Sequence, residues 1–379
     1  MKLIYSSKKS LNLKQKEFIL TSLNNSFPKQ SFFFSKNKLF SKNNKNISNL
    51  KKSFIKLLKI AENDNKKIIF IQKNSKKFKK NPLPVLQKTK QVIKISDGIF
   101  QFQGEFLKIF RSINKYFYNL AINKYQAVDQ ENPILWPVDL YKKIDYFNDF
   151  PQQIMMVSSL KKNFKNYSSF SKKYQQKKKF RNINVDKQFR NSDFGLQPAV
   201  CDNCYYALKN VKNYKNTIYT TYNKVFRDEK SSFNNLDRLT SFSVRDIMFV
   251  GDEKFVIQTR NRLIGSIKKF LKICKIDCSI EVANDPFFIS NINKKIFQDA
   301  MDLKYEILAH IPFLRKKIAI GSINFHLNTF GKAFKIYKNK KFIYSGCIGI
   351  GFERLLLSFY SQHGTNVKKW PKKLGKIIK

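Results

Sequence analysis

The apolar residues Phe106, Phe110, Ile113, Phe117 and Leu120 recur at alternating steps of four and three, which predicts one face of an amphipathic helix. Upstream the pattern is fragmentary. Short apolar stretches at 54–60 and 68–71 predict a helix and a strand, but the segments around them, 36–52 and 74–80, are polar and rich in lysine. Downstream, Pro133 and Pro137 break the helical pattern, and an apolar run at 154–157 reads as a strand. Residues 161–190 hold 11 Lys and Arg against one Asp and predict an exposed basic insertion. From Gln197 onward, short β-rich runs alternate with two predicted helices, at about 255–274 and about 295–309. The change of character near Gly98 divides the chain into a basic extension, 1–97, poorly structured or a small separate unit, and one folded domain, 98–379.

The chain has 379 residues, 42% hydrophobic and 15% aromatic, enough to bury a sizeable core and too apolar for wholesale disorder. Its 74 Lys+Arg against 26 Asp+Glu give a net charge of +48, a field that attracts nucleic acid, anionic membrane or an acidic protein. Yet Lys, Asn, Ile and Phe are abundant all along the chain, with only 12 Gly and 10 Pro, as a strongly AT-biased genome produces. Charge by itself therefore assigns no nucleic-acid function. Five cysteines (Cys201, Cys204, Cys274, Cys278 and Cys347) form no compact framework and read as reduced intracellular thiols. No apolar run approaches the roughly 18–20 residues that span a bilayer. Residues 1–40 lack a secretory apolar core, and although Ser/Lys/Asn-rich they contain no arginine; the first is Arg111. The expected location is the cytoplasm, or an organelle matrix if the start is a transit peptide.

Two arginine-bearing patterns carry the chemistry. Phe226-Arg227-Asp228-Glu229, a polar loop, and then Arg238-Leu239-Thr240-Ser241-Phe242-Ser243-Val244-Arg245-Asp246 read as two antiparallel strands joined by a loop. A fixed guanidinium offers paired donors to the negative charge that builds on phosphate oxygens when a carboxylate attacks the α-phosphorus of ATP. Phe242 on the returning strand offers a face for adenine, and Asp246 can face the same pocket. Near the C-terminus, Gly346-Cys347-Ile348-Gly349-Ile350-Gly351-Phe352-Glu353-Arg354 reads as a glycine-spaced strand running into a helix, with Arg354 placed for the far phosphates. In this order the two patterns look like motifs 2 and 3 of class II aminoacyl-tRNA synthetases. The expected fold is α+β, an antiparallel sheet of that type flanked by helices.

The cysteines add a metal. Cys201 precedes the first pattern, Asp246 ends it and Cys347 opens the second. Two thiolates and a carboxylate converging from three segments would make a three-ligand zinc site with an open fourth position for an α-amino group. A zinc ribbon from Cys201-x-x-Cys204 and Cys274-x-x-x-Cys278 is disfavoured, because all of the first arginine pattern would lie inside it. The three histidines are too few and too scattered for a histidine-based site; His326, in Asn324-Phe325-His326, could reach the pocket but reads first as a satisfied structural residue.

From about Gly98 to Gly364 the sequence resembles the amino acid:[carrier protein] ligases, homologues of the catalytic core of atypical zinc-dependent seryl-tRNA synthetases. Besides the two motifs, the resemblance rests on Tyr146-Phe147 with Phe150-Pro151, Ala199-Val200-Cys201, Glu281-Val282-Ala283-Asn284-Asp285-Pro286-Phe287-Phe288, Lys304-Tyr305-Glu306, Ser322-Ile323-Asn324-Phe325-His326 and His363-Gly364. It implies zinc held by Cys201, Asp246 and Cys347, with Asp246 where the family has Glu. It implies ATP, with Mg2+, bound by Arg227, Glu229, Arg238, Leu239, Phe242 and Arg354, the catalytic arginines being Arg227 and Arg354. It implies a small amino acid such as glycine or alanine contacted by Asp285, Ser322 and Asn324. The implied reaction forms an aminoacyl-adenylate and passes it to the phosphopantetheine thiol of an acidic carrier protein, in a homodimer. Two other readings stay open: a seryl-like class II aminoacyl-tRNA synthetase charging tRNA, and an inactive synthetase paralogue serving as a binding module.

Overall fold

The computed structural model describes residues 2–6, 31–41, 47–62, 67–74, 80–176, 188–228, 235–283 and 302–377, together with positions 11, 16, 19, 20, 23 and 78. Two compact units divide the chain: residues 1–70 with 280–305, and residues 71–279 with 306–379.

In the first unit, strands β1 (Lys2–Ser6), β2 (Phe32–Ser35) and β3 (Lys38–Ser41) form an antiparallel sheet in the order β1-β3-β2. Helix α1 (Ile47–Glu62) sets Leu50, Phe54, Leu57 and Leu58 on one stripe, the spacing that lets a helix bury one face. Those residues close a core with Ile4, Leu11, Ile19, Leu23, Phe32 and Leu39. The described part of the basic N-terminal stretch thus has apolar packing of its own.

In the second unit the first long helix is α2 (Gly104–Asn119), which buries Phe106, Ile109, Phe110, Ile113 and Phe117, the face the spacing predicts. Six strands of a sheet follow in the order β10-β11-β12-β9-β8-β4: β4 (Val128–Gln130), β8 (Thr217–Phe226), β9 (Ser241–Gly251), β10 (Lys304–Ile311), β11 (Lys316–Leu327) and β12 (Tyr344–Gly351). The pairs β8–β9, β9–β12 and β11–β12 are antiparallel, and β4 joins β8 in parallel. Helices α5 (Glu253–Cys274) and α6 (Phe352–His363) pack on this sheet. The Asp252 carboxylate caps α5 by accepting from the Phe255 N–H at 2.9 Å. Between β4 and β8 a small antiparallel sheet, in the order β5-β7-β6, is inserted from β5 (Leu135–Pro137), β6 (Met156–Leu160) and β7 (Phe189–Leu196). The basic insertion supplies helix α3 (Phe164–Gln176), whose Phe164 is 85% exposed; residues 177–187 lie outside the described residues.

One expectation needs correction. Residues 304–311 are strand β10, not the end of a helix running over about 295–309, and 295–301 lie outside the described residues. Tyr305, Ile307, Ala309 and Ile311 are buried at every second position, the period of a strand. Among the described residues, no helix is long and apolar enough to cross a membrane.

A buried carboxylate fastens the two arginine patterns together. Glu353, 1% exposed at the start of α6, accepts from the Ser243 N–H at 2.9 and 3.0 Å, from Ser243 Oγ at 2.9 Å and from Lys224 Nζ at 3.3 Å. Removing it strands the buried Ser243 donors. Glu353→Ala is expected to cost about 3 kcal/mol in urea unfolding, with Glu353→Gln costing less because one carbonyl acceptor remains.

Candidate active site

Strand alternation builds the site. Along β9, Asp246, Met248 and Val250 share one face while Ile247 and Phe249 take the other. Met248 lies across from Cys347, and Cys347 in turn across from Asn324; Asp246, Gly349 and Ser322 form the adjacent rank. On that face Cys347, Met248 and Val250 pack in a core with Trp136, Tyr141, Tyr146, Cys201, Cys204 and Tyr205. Cys201 arrives from another direction, immediately before the short helix α4 (Asp202–Ala207).

The result is a buried triad. One Sγ each from Cys201 and Cys347 and a carboxylate oxygen of Asp246 lie within 4.8 Å of one another. Gly349 makes the room: a Cβ there would collide with Asp246 Oδ1. Gly349→Ala is therefore expected to push the carboxylate out of the triad and weaken zinc binding at least ~10-fold, read by chelator competition.

The electrostatics favour a cation. Burial holds the Asp246 carboxyl well above the usual carboxylate range, and the neighbouring Cys347 sulfur adds to this. The Cys201 thiol is pushed up by its interaction with the Cys347 sulfur and by burial, while the same interaction pushes Cys347 down. Asp202, whose Oδ1 is 3.4 Å from Cys201 Sγ, is raised by burial to about 6. Three mutually close acidic groups plus a fourth carboxyl, all buried, are costly unless neutralised by protons or by a metal. Two sulfurs and one oxygen suit zinc.

The other expected site residues are distributed as follows. Arg227 follows β8; its Nε donates to the Pro198 carbonyl at 3.0 Å and its guanidinium lies 5.4 Å from the Phe242 ring centroid. Pro198 is three residues from Cys201, so this bond ties the arginine to the segment bearing the first thiol. Arg354 Nε donates to the Asp237 carbonyl at 2.7 Å and its Nη1 to the Ala319 carbonyl at 3.5 Å, while the Asp237 carboxylate pairs with Lys316 at 2.6 Å. Arg354 is thereby held beside the turn that carries Arg238, which is exposed, and Leu239, which is buried. Ser322 and Asn324 sit at the triad: Asn324 Nδ2 donates to Ser322 Oγ at 3.2 Å and to Cys347 Sγ at 3.3 Å. Glu229 and Asp285 lie outside the described residues.

Two residues beside the triad did not figure in the expected site. Asp202 directly follows Cys201, and that adjacency was a signal available in the sequence. His326 does not stand apart as a structural residue: its Nε2 is 3.7 Å from Cys347 Sγ. Cys204, Cys274 and Cys278 are buried, Cys278 pushed up by burial to about 12, and none belongs to the metal-type cluster found among the described residues.

A largely antiparallel sheet that carries one arginine pattern on a strand pair and the other at a strand-to-helix junction, with helices packed on it, is the class II aminoacyl-tRNA synthetase catalytic-core fold. The comparisons agree. Residues 180–363 match the tRNA synthetase class II core domain (G, H, P, S and T). The type-2 serine–tRNA ligase of Methanococcus maripaludis is 27% identical over 297 residues, 74% of this chain and 57% of that protein. An amino acid–[acyl-carrier-protein] ligase of Bradyrhizobium diazoefficiens is 30% identical over 156 residues, 40% of this chain and 47% of that one. Among solved structures, the M. kandleri SerRS bound to A. aeolicus tRNASec matches with a TM-score of 0.73 at 15% identity, covering 99% of this chain and 76% of that one. The chain thus spans less than two thirds of the length of the serine–tRNA ligase it matches.

Proposed function

We propose that the chain activates a small amino acid with ATP, forming an aminoacyl-adenylate and releasing pyrophosphate. The observation that carries this reading is the buried Cys201–Asp246–Cys347 triad: Asp246 and Cys347 lie on the strands that bear the two arginine patterns, and Cys201 reaches them from the segment before α4. Cys201, Asp246 and Cys347 would hold zinc, which would supply a Lewis acid for the α-amino group of the substrate. Ser322 and Asn324, beside the triad, present small polar groups to the rest of a short side chain. The substrate carboxylate attacks the α-phosphorus, and Arg227, anchored by Pro198 and Phe242, neutralises the charge that develops there. Arg354 holds the far phosphates, so that pyrophosphate leaves in line.

For the acceptor, the reading we favour is tRNA, with serine as the amino acid. It is supported by the serine–tRNA ligase match over 74% of the chain, against 40% for the carrier-protein ligase. The phosphopantetheine thiol of a carrier protein is the second reading, favoured by the 30% identity to the Bradyrhizobium ligase. Incubating the zinc-loaded chain with ATP, labelled serine, glycine or alanine, and either tRNA or phosphopantetheinylated carrier protein separates them. Label in RNase-sensitive material is expected. Label in a hydroxylamine-sensitive carrier thioester would transfer the assignment to the second reading, and adenylate formation with neither acceptor labelled would remove both.

A further inference from the structure

His326 is the residue that the strand pairing leaves over. Along β11 and β12, Phe325 pairs with Gly346 and Leu327 with Ser345, and the register shifts between the two pairs. His326 is the extra residue of this β-bulge, a device that re-aims a side chain. The backbone is strained to make it: Leu327 takes φ of 54°, a left-handed conformation uncommon for a residue with a branched side chain.

The re-aimed ring is held on every side. Its Nδ1 lies 3.2 Å from Ser345 Oγ and 3.3 Å from Tyr205 OH, and its Nε2 lies 3.7 Å from Cys347 Sγ. Its edges meet the rings of Tyr205 and Phe330, with centroids at 5.9 and 4.9 Å and interplanar angles of 90° and 84°. Ser345 and Tyr205 are fully buried. A metal-bound Cys347 is a thiolate and accepts hydrogen bonds only, so the nitrogen facing it must carry the proton. The other nitrogen is then an acceptor with one lone pair, and two hydroxyls, Ser345 and Tyr205, lie in reach to donate to it.

We propose that His326 is a positioning residue for the Cys347 sulfur, with Nε2–H donated to the thiolate and Nδ1 held by the Ser345 and Tyr205 hydroxyls. Together with the Asn324 amide at 3.3 Å, it gives Cys347 two N–H donors. These fix the thiolate's direction toward the other two ligands of the triad. The inference rests on the zinc reading above and goes beyond it by assigning the group that orients one ligand.

The test uses the full chain, with zinc affinity measured by chelator competition and cobalt(II) as a spectroscopic probe. His326→Phe keeps the ring packing but removes the donor. It is expected to bind zinc about 10- to 100-fold more weakly. The sulfur-to-cobalt charge-transfer band should move to longer wavelength, because a thiolate without its N–H donor gives up electron density more readily. His326→Gln, which retains an N–H, is expected to stay within about threefold of the parent chain. Ser345→Ala, which removes one of the two hydroxyls at Nδ1 without touching the ring, should shift the band the same way by a smaller amount. This keeps the proposal testable if His326→Phe does not fold. Parent-like affinity and an unmoved band in His326→Phe, or in Ser345→Ala where that is the variant that folds, overturns the role of His326 while leaving the zinc site standing. A parent chain that binds neither zinc nor cobalt overturns the metal reading itself, before any substitution is considered.

Discussion

Replacing Arg227 by alanine is expected to lower amino-acid-dependent ATP–pyrophosphate exchange about 1,000-fold, mainly in kcat. The guanidinium is locked at two points, by the Pro198 carbonyl at 3.0 Å and by the Phe242 ring at 5.4 Å. Those contacts orient the planar fork before ATP arrives, so its donors act without reorganising as charge builds on the α-phosphate. An interaction strengthened in the transition state appears in kcat rather than KM. Arg227→Lys is also expected to fail by about 100-fold, since a lysine gives a point charge, cannot reach the carbonyl and the phosphate together, and does not stack as a planar group. Steady-state exchange at saturating ATP measures both. A loss confined to the KM for ATP would show that Arg227 binds nucleotide without favouring the transition state.

Replacing Cys347 by serine is expected to abolish zinc retention and to reduce exchange by a similar factor, about 1,000-fold, with ATP binding preserved. A triad reduced to one thiolate and one short carboxylate lacks the three ligands a catalytic zinc site needs. Asp246, Cys201 and Asp202 would then remain as a buried acidic group without a cation, and only protonation would relieve them. Cys204→Ala, buried in the same core but outside the triad, is the control. Metal analysis of the purified variants reads the difference: zinc retained in Cys204→Ala and lost in Cys347→Ser. Equal zinc in both would place the metal elsewhere.

Much of this was legible in the chain. The two arginine patterns predicted a hairpin and a strand-to-helix junction, and β8–β9 and β12–α6 are those elements. Cys201, Asp246 and Cys347, taken together from sequence, do meet. The misreading at 304–309 has a plain cause. A strand buried mainly on alternate residues, with Leu308 partly buried between them, has enough apolar positions to fit a helical period, and pattern alone does not separate the two. The sequence put His326 within reach of the pocket but not against Cys347: that approach depends on a one-residue register shift in β11, which no local pattern announces. The acceptor is similarly outside the reach of local chemistry. Adenylate formation uses the same arginines whether the aminoacyl group goes to a ribose hydroxyl or to a thiol, so the site does not distinguish the two acceptors.

The central claim is activation of an amino acid by ATP at the triad. The measurement that bears on it most directly is ATP–pyrophosphate exchange by the zinc-loaded chain, with serine, glycine and alanine supplied one at a time. The account predicts exchange that requires one of these amino acids, disappears when zinc is chelated and returns when zinc is restored. Absence of exchange with any amino acid in a zinc-replete, folded chain would contradict it.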